Sequence, residues 1–188
     1  MRLQKGRTTL EGIFFSVAPD DAGLSAGSRV DAAFYLQINE FRGSRSVQLQ
    51  LLDLRPASNP SGREAELLAL RDAICAGGAL APRDAARALP SREQFVRVWR
   101  ALERDAAGGV LREPELPLLR RIASELTGAE GFLRSAMCLA VFAERGLVSM
   151  EREDGVLTLR LTAEGKKVEL DDSPIVRRLH DGLQGSGR

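Results

Sequence analysis

The segment from Val30 to Arg55, VDAAFYLQINEFRGSRSVQLQLLDLR, constrains the fold most, because apolar and polar residues alternate on both sides of a turn. Ala32, Phe34, Leu36 and Ile38 alternate with Ala33, Tyr35, Gln37 and Asn39. Beyond Arg42-Gly43-Ser44, Val47, Leu49 and Leu51 alternate with Ser46, Gln48 and Gln50. Successive strand residues point to opposite faces, so a period of two predicts a β-hairpin with one apolar face for a core and one polar face for water.

Two further strands are expected before it, Arg2 to Gln4 and Thr8 to Ser16, separated by Lys5-Gly6 and followed by a turn-rich stretch from Pro19 to Ser28. An open sheet of short strands would expose its edges, so a small closed β-barrel is expected. Its first strand begins almost at Met1, which suggests a barrel truncated at that strand.

Pro56 to Gly62, PASNPSG, reads as a linker, and helical periodicity follows it. A helix from Glu64 to Ala76 places Leu67, Leu70 and Ile74 on one face and stops at Gly77-Gly78. Ser91-x-x-Gln94 forms a capping box ahead of Phe95, Val98, Trp99 and Leu102, so Trp99 is expected in the core and not as a base-stacking platform. A short strand at Val110-Leu111 precedes helices from Glu115 to Leu126 and from Glu130 to Arg145. The second of these carries Leu133, Met137, Ala140 and Val141 inward and is capped by Gly146. Leu147 to Arg152 and Val156 to Thr162 then flank Asp154-Gly155, a favoured tight-turn pair. This order is that of a winged helix, and a last helix is expected after Ser173-Pro174. The expected fold is therefore α+β: an OB-like β-barrel over residues 1–55, a linker and helix over 56–90, and a mainly helical, winged-helix-like domain over 91–188.

The formal charge of the 188 residues is only +1, so any nucleic-acid contact must be local. In the helix from Glu130 to Arg145, Arg134 and Arg145 are balanced by Glu130 and Glu144. Phosphate contact needs uncompensated cations, so this module reads as a structural or protein-docking element. Cys75 and Cys138 sit in apolar helical segments and are expected as reduced, buried thiols without zinc spacing. The one histidine, His180, is expected on a helix surface. No P-loop, GxSxG or HExxH motif occurs, so catalysis by these residues is not expected. Asp20-Asp21, Asp53 and Asp171-Asp172 read as turn formers and caps. No apolar run reaches the 18 residues a membrane span needs, and no positive-then-apolar leader opens the chain, so a cytoplasmic protein is expected.

The positive signal lies in the β-unit. OB folds lay a single strand along a basic groove and stack its bases on aromatic rings. Lys5 and Arg7 flank the first turn, Arg42 and Arg45 flank the second, Tyr35 and Phe41 offer rings, and Gln37, Gln48 and Gln50 offer hydrogen bonds. These same residues also fit the solvated face of an ordinary sheet, and the pattern alone does not choose between the two.

The string DAAFYLQINEFRGSRSVQLQLLDLR, preceded by LEGIFF at Leu10 to Phe15 and LSAGSRVD at Leu24 to Asp31, resembles the OB-fold segment of bacterial RecJ single-stranded-DNA-specific exonucleases. Asn39, Glu40, Phe41, Gly43, Arg45, Ser46, Val47, Gln48, Leu49 and Asp53 carry the resemblance. KVELDDSPIVRRL at Lys167 to Leu179 is similar to a C-terminal tail found in many Gram-positive members. The resemblance implies the C-terminal portion of an enzyme that hydrolyses single-stranded DNA from the 5′ end in repair and recombination. Its Asp-His-His motifs, and the manganese or magnesium they hold, are absent from this sequence, so no cofactor is expected here. The implied partners are single-stranded DNA, the catalytic core of the parent enzyme and a single-strand-binding protein. Arg45 and Gln48 are the candidates that the resemblance implies for strand contact or for shaping its groove, while Arg42 and Tyr35 rest on the pattern alone.

Overall fold

The computed structural model describes residues 1–15, 26–41, 43–153, 156–162 and 168–184. They belong to two compact units, Met1–Ser58 and Asn59–Arg188, and each has its own architecture.

In the first unit the alternating segments form strands β1 (Arg2–Lys5), β2 (Thr8–Phe14), β3 (Val30–Phe41) and β4 (Ser44–Pro56). They make one sheet in the order β1-β2-β4-β3, with β2 and β4 parallel and the other pairs antiparallel. β1 therefore runs in the same direction as β3, and the β1–β2 and β3–β4 turns lie at the same end of the sheet. Each of those turns uses a glycine in the left-handed region, Gly6 at φ 61° and Gly43 at φ 78°, where a Cβ would be strained. A bulge between Ala33 and Phe34 lets Leu52 fall outside the ladder, so that Phe34 opposes Leu51.

Leu49 and Leu51 are buried, each 4% exposed, and Gly12 lies against them; a Cβ there would stand 3.1 Å from Leu51 Cδ1. The rest of the apolar face departs from expectation. Phe34, Leu36, Ile38 and Val47 are 43%, 66%, 71% and 50% exposed rather than filling a core. Ile38 and Val47 lie beyond the rows at which β2 pairs with β4, Gln48 to Leu51, while Phe34 and Leu36 lie level with those rows but on β3, at the edge of the sheet. The described strands form one four-stranded sheet with β1 and β3 at its edges.

The second unit holds α1 (Gly62–Cys75), α2 (Pro82–Ala88), α3 (Arg92–Asp105), β5 (Val110–Pro114), α4 (Glu115–Glu125), α5 (Gly131–Glu144), β6 (Val148–Glu153), β7 (Val156–Leu161) and α6 (Pro174–Gln184). The expected capping box opens α3: Gln94 N–H donates to Ser91 Oγ at 3.2 Å, and Ser91 N–H to Gln94 Oε1 at 2.9 Å. An equivalent box, Ser61 with Glu64, opens α1. Ser173 Oγ accepts from Val176 N–H at 3.2 Å at the start of α6. β5, β7 and β6 form a sheet in that order, and Leu157 and Leu159 bury its inner face. The turn residues Asp154 and Gly155 lie outside the described residues.

At the centre stands α5, nine of whose 14 residues are buried. Leu133, Met137 and Val141 are buried in the core where α5 packs against α1, α3 and α4, and Trp99 packs edge-on against Phe142 with ring centroids 5.5 Å apart, as the helical register of α3 predicts. Cys138 is buried, but Cys75 is exposed, contrary to expectation. On α1 the buried residues are Leu67 and Ile74, one heptad apart, and Cys75 follows Ile74 by about 100°, which turns it off the buried face.

Candidate nucleic-acid surface

The strand register fixes which candidate residues can act together. Tyr35 opposes Gln50, Gln37 opposes Gln48 and Asn39 opposes Ser46, so these side chains share the polar face of β3 and β4. Through the β2–β4 ladder Glu11 joins the row at Gln48 and Ile13 the row at Gln50. Tyr35 is 62% exposed, which leaves a ring face open for stacking. Gln37 Nε2 donates to Gln50 Oε1 at 2.6 Å, orienting one amide against the other. Each amide retains further donors and acceptors toward solvent.

The cations fall elsewhere. Arg45 opposes Glu40 and shares the parity of Val47 and Leu49, so it projects from the apolar side of the hairpin, where Nε lies 3.3 Å from Glu40 Oε2. Both side chains are well exposed, so the pair is weak and Arg45 remains open to a competing phosphate. Lys5 follows Leu3 by two residues and takes the same face, while Arg7 stands in the β1–β2 turn. Continuing the β2–β4 register back from Glu11–Gln48 brings Thr8, the partner of Lys5, level with Arg45. Lys5, Arg7 and Arg45 thus gather at the turn end of the sheet. Arg42 and the side chain of Phe41 lie outside the described residues.

The candidates therefore divide into a polar face, Tyr35, Gln48 and Gln50, and a basic end, Lys5, Arg7 and Arg45. A strand crossing the outer face toward the turns would meet stacking and amide groups first and cations at the rim. Arg2 was not among the candidates. It opposes Glu11, which opposes Gln48, so it stands on the polar face with its Nε 3.8 Å from Glu11 Oε1. Its even parity with Gln4 was the available signal.

The second unit offers no comparable surface on α5, because that helix is enclosed. Arg134, one of its two balanced cations, donates to the carbonyls of Arg87 and Ala86 at 3.1 and 3.2 Å. Other arginines are held by carboxylates: Arg120 Nε donates to Glu64 Oε1 at 2.8 Å, and Arg71 and Arg152 both donate to Glu115, at 2.9 and 2.8 Å. Arg120 holds the Glu64 carboxyl down to about 2, and Arg152 lowers that of Glu115. A cleft of about 840 Å³ runs along α3, floored by Phe95, Trp99 and Phe142 and faced by Val168, Leu170 and Val176. Arg92, Arg100 and Glu103 stand on its α3 side, and Glu169, Asp171 and His180 on the other.

Among the described residues no three His, Cys, Asp or Glu side chains come together to hold a metal ion. None of the described helices is long and apolar enough to cross a membrane.

Residues 1–53, which span most of the first unit, match the family model of the RecJ OB domain. Residues 1–53 are thus similar to a RecJ-type OB region. The match covers every β-strand of the first unit except the last residues of β4, and it ends before α1. The tail from Lys167 to Leu179 lies beyond it. No curated protein and no solved structure matches the chain. An OB fold is a five-stranded, partly open Greek-key barrel, of which the described residues of the OB region supply four strands.

Proposed function

We propose that this chain is the single-stranded-DNA-binding accessory region of a RecJ-like 5′–3′ exonuclease acting in DNA repair and recombination, with the metal-dependent nuclease core contributed by other residues. The observation that carries the proposal is the convergence of Lys5, Arg7 and Arg45 at one end of a RecJ-type OB sheet whose polar face presents Tyr35, Gln48 and Gln50. Cations at the rim neutralise phosphates, and a ring with oriented amides holds bases without demanding a sequence. The strand is guided, and the hydrolysis belongs to the core. Its work would lie in the cytoplasm, with the DNA.

The second unit is proposed as a winged helix turned to protein docking. The order α3, β5, α4, α5, β6, β7 and the sheet order β5-β7-β6 support the winged-helix reading. The enclosure of α5 and the internal pairing of its neighbours' arginines argue against insertion of that helix into a DNA groove. The nuclease core and a single-strand-binding protein are the proposed partners.

Fluorescence anisotropy of a labelled oligothymidine, titrated with the intact chain at low salt, tests the proposal. Saturable binding that weakens steeply with added salt is expected. A flat titration at low salt would favour the second reading, in which the whole chain is a protein-docking module and the OB sheet only its scaffold.

A further inference from the structure

We infer that Ile13, Gln50 and Tyr35 form a slot for one unpaired base on the polar face of the first sheet, and that this slot makes the surface select single strands over duplex. Resting on the DNA binding proposed above, the slot adds Ile13 to the contact surface and gives strand selection a physical cause. Ile13 opposes Gln50 and Gln50 opposes Tyr35, so the three make one row across β2, β4 and β3. Both outer members reach solvent, Tyr35 at 62% and Ile13 at 37% exposure.

Neighbouring strands lie about 4.8 Å apart, so the backbones that carry Ile13 and Tyr35 are separated by about 10 Å, with Gln50 between them. A base stacked on two walls needs about twice the ~3.4 Å stacking spacing between them, and walls that each lean inward by about 1.5 Å supply it. Tyr35 offers a ring face as one wall. Ile13 offers an aliphatic wedge as the other, a group that also inserts between bases elsewhere. Gln50 makes the floor. Gln37 Nε2 donates to its Oε1 at 2.6 Å, which engages the carbonyl end of Gln50 and leaves its amide hydrogens to donate. Every base carries an acceptor on its Watson–Crick edge, so the floor accepts any sequence. In a duplex that edge is paired and the base faces are stacked, so no base enters the slot without leaving the duplex.

The charges divide the work between face and rim. One row nearer the turns, Arg2 Nε lies 3.8 Å from Glu11 Oε1, so neither charge stands alone on the face. Lys5, Arg7 and Arg45 gather instead at the turn end, where they can meet the backbone. Cations attract the phosphates of a single strand and of a duplex alike, so the preference for a single strand falls to the slot.

Anisotropy titrations of the intact chain with a labelled oligothymidine, and with a labelled blunt duplex of the same length, test the slot. The chain should prefer the single strand. Ile13→Ala should weaken single-strand binding about fivefold while the duplex affinity, the salt slope and the circular dichroism stay as they are. Gln50→Ala should act in the same way, whereas Ile13→Phe, which keeps an apolar wall, should hold the single-strand affinity of the unaltered chain. Unchanged single-strand affinity in Ile13→Ala, or an equal loss for single strand and duplex, overturns the slot and leaves the proposed DNA binding standing. No binding of either oligonucleotide by the unaltered chain overturns both.

Discussion

Arg45 and Gln48 are three residues apart and fall on opposite faces of β4, although the resemblance to RecJ enzymes marks both. Alternation in the sequence already separates them, since Arg45 shares its parity with Val47 and Gln48 with Ser46 and Gln50. What alternation does not show is that Lys5 and Arg7 stand at the same end as Arg45. That needs the parallel β2–β4 pairing, a long-range choice without a local signature. The two groups of residues should separate experimentally. Replacing Lys5, Arg7 and Arg45 together by alanine should weaken oligonucleotide binding and reduce the salt slope by about 0.7 for each phosphate left without its cation. Tyr35→Ala should cost about 1–3 kcal/mol of binding and leave that slope unchanged, because stacking releases no counterions. Anisotropy titrations at several salt concentrations measure both.

Glu64 tests a different kind of residue-level claim. Arg120 and the Ser61 cap hold its carboxyl down to about 2, below the ordinary 4.5. A group whose pKa is depressed on folding stabilises the native state above its unfolded pKa. That contribution is lost as pH falls through the range from about 4.5 to about 2. Glu64→Gln should therefore lower the melting temperature at neutral pH and flatten its dependence between pH 4.5 and 2, as followed by circular dichroism.

Among the elements, α3 and α5 were the most legible. Their apolar positions recur at helical spacing, and the Ser91–Gln94 box and the left-handed Gly146 mark their ends. α2 was missed as a helix of its own, because its seven residues are too short to show a period, although Pro82 at its first turn was a start signal. The Ser61-x-x-Glu64 box was equally visible in the sequence. It lies inside a stretch whose proline and serine content reads as linker. α5 shows how periodicity can understate burial, since it predicts one inward stripe while neighbours on several sides enclose most of the helix. Met137→Ala, at a side chain with no exposure, should destabilise the second unit by about 2–5 kcal/mol in a denaturant titration. Ser91→Ala should cost about 1 kcal/mol through removal of the cap.

For the molecule as a whole, the division into a β-rich beginning and a helical remainder follows from the change of period from two to 3.6 near Pro56, and the structure has that order. The exposure of Leu36 and Ile38 was not legible. An apolar stripe predicts a face that wants cover, and only the place of its strand in the sheet shows whether cover reaches it. The bulge at Ala33 and Phe34 was hidden for the same reason, since an inserted residue on one strand is defined by its partner. Arg71, Arg120, Arg134 and Arg152 serve internal contacts in the second unit. Under the proposed function, strand binding falls to the exposed cations Lys5, Arg7 and Arg45 at the turn end of the first sheet.

The most direct measurement is the affinity of the intact chain for a labelled oligothymidine at low salt, beside the variant in which Lys5, Arg7 and Arg45 are all alanine. The account predicts saturable binding by the chain, a clear loss in the variant, and a shallower salt dependence for the binding that remains. Equal affinity and equal salt slope for both proteins would contradict it.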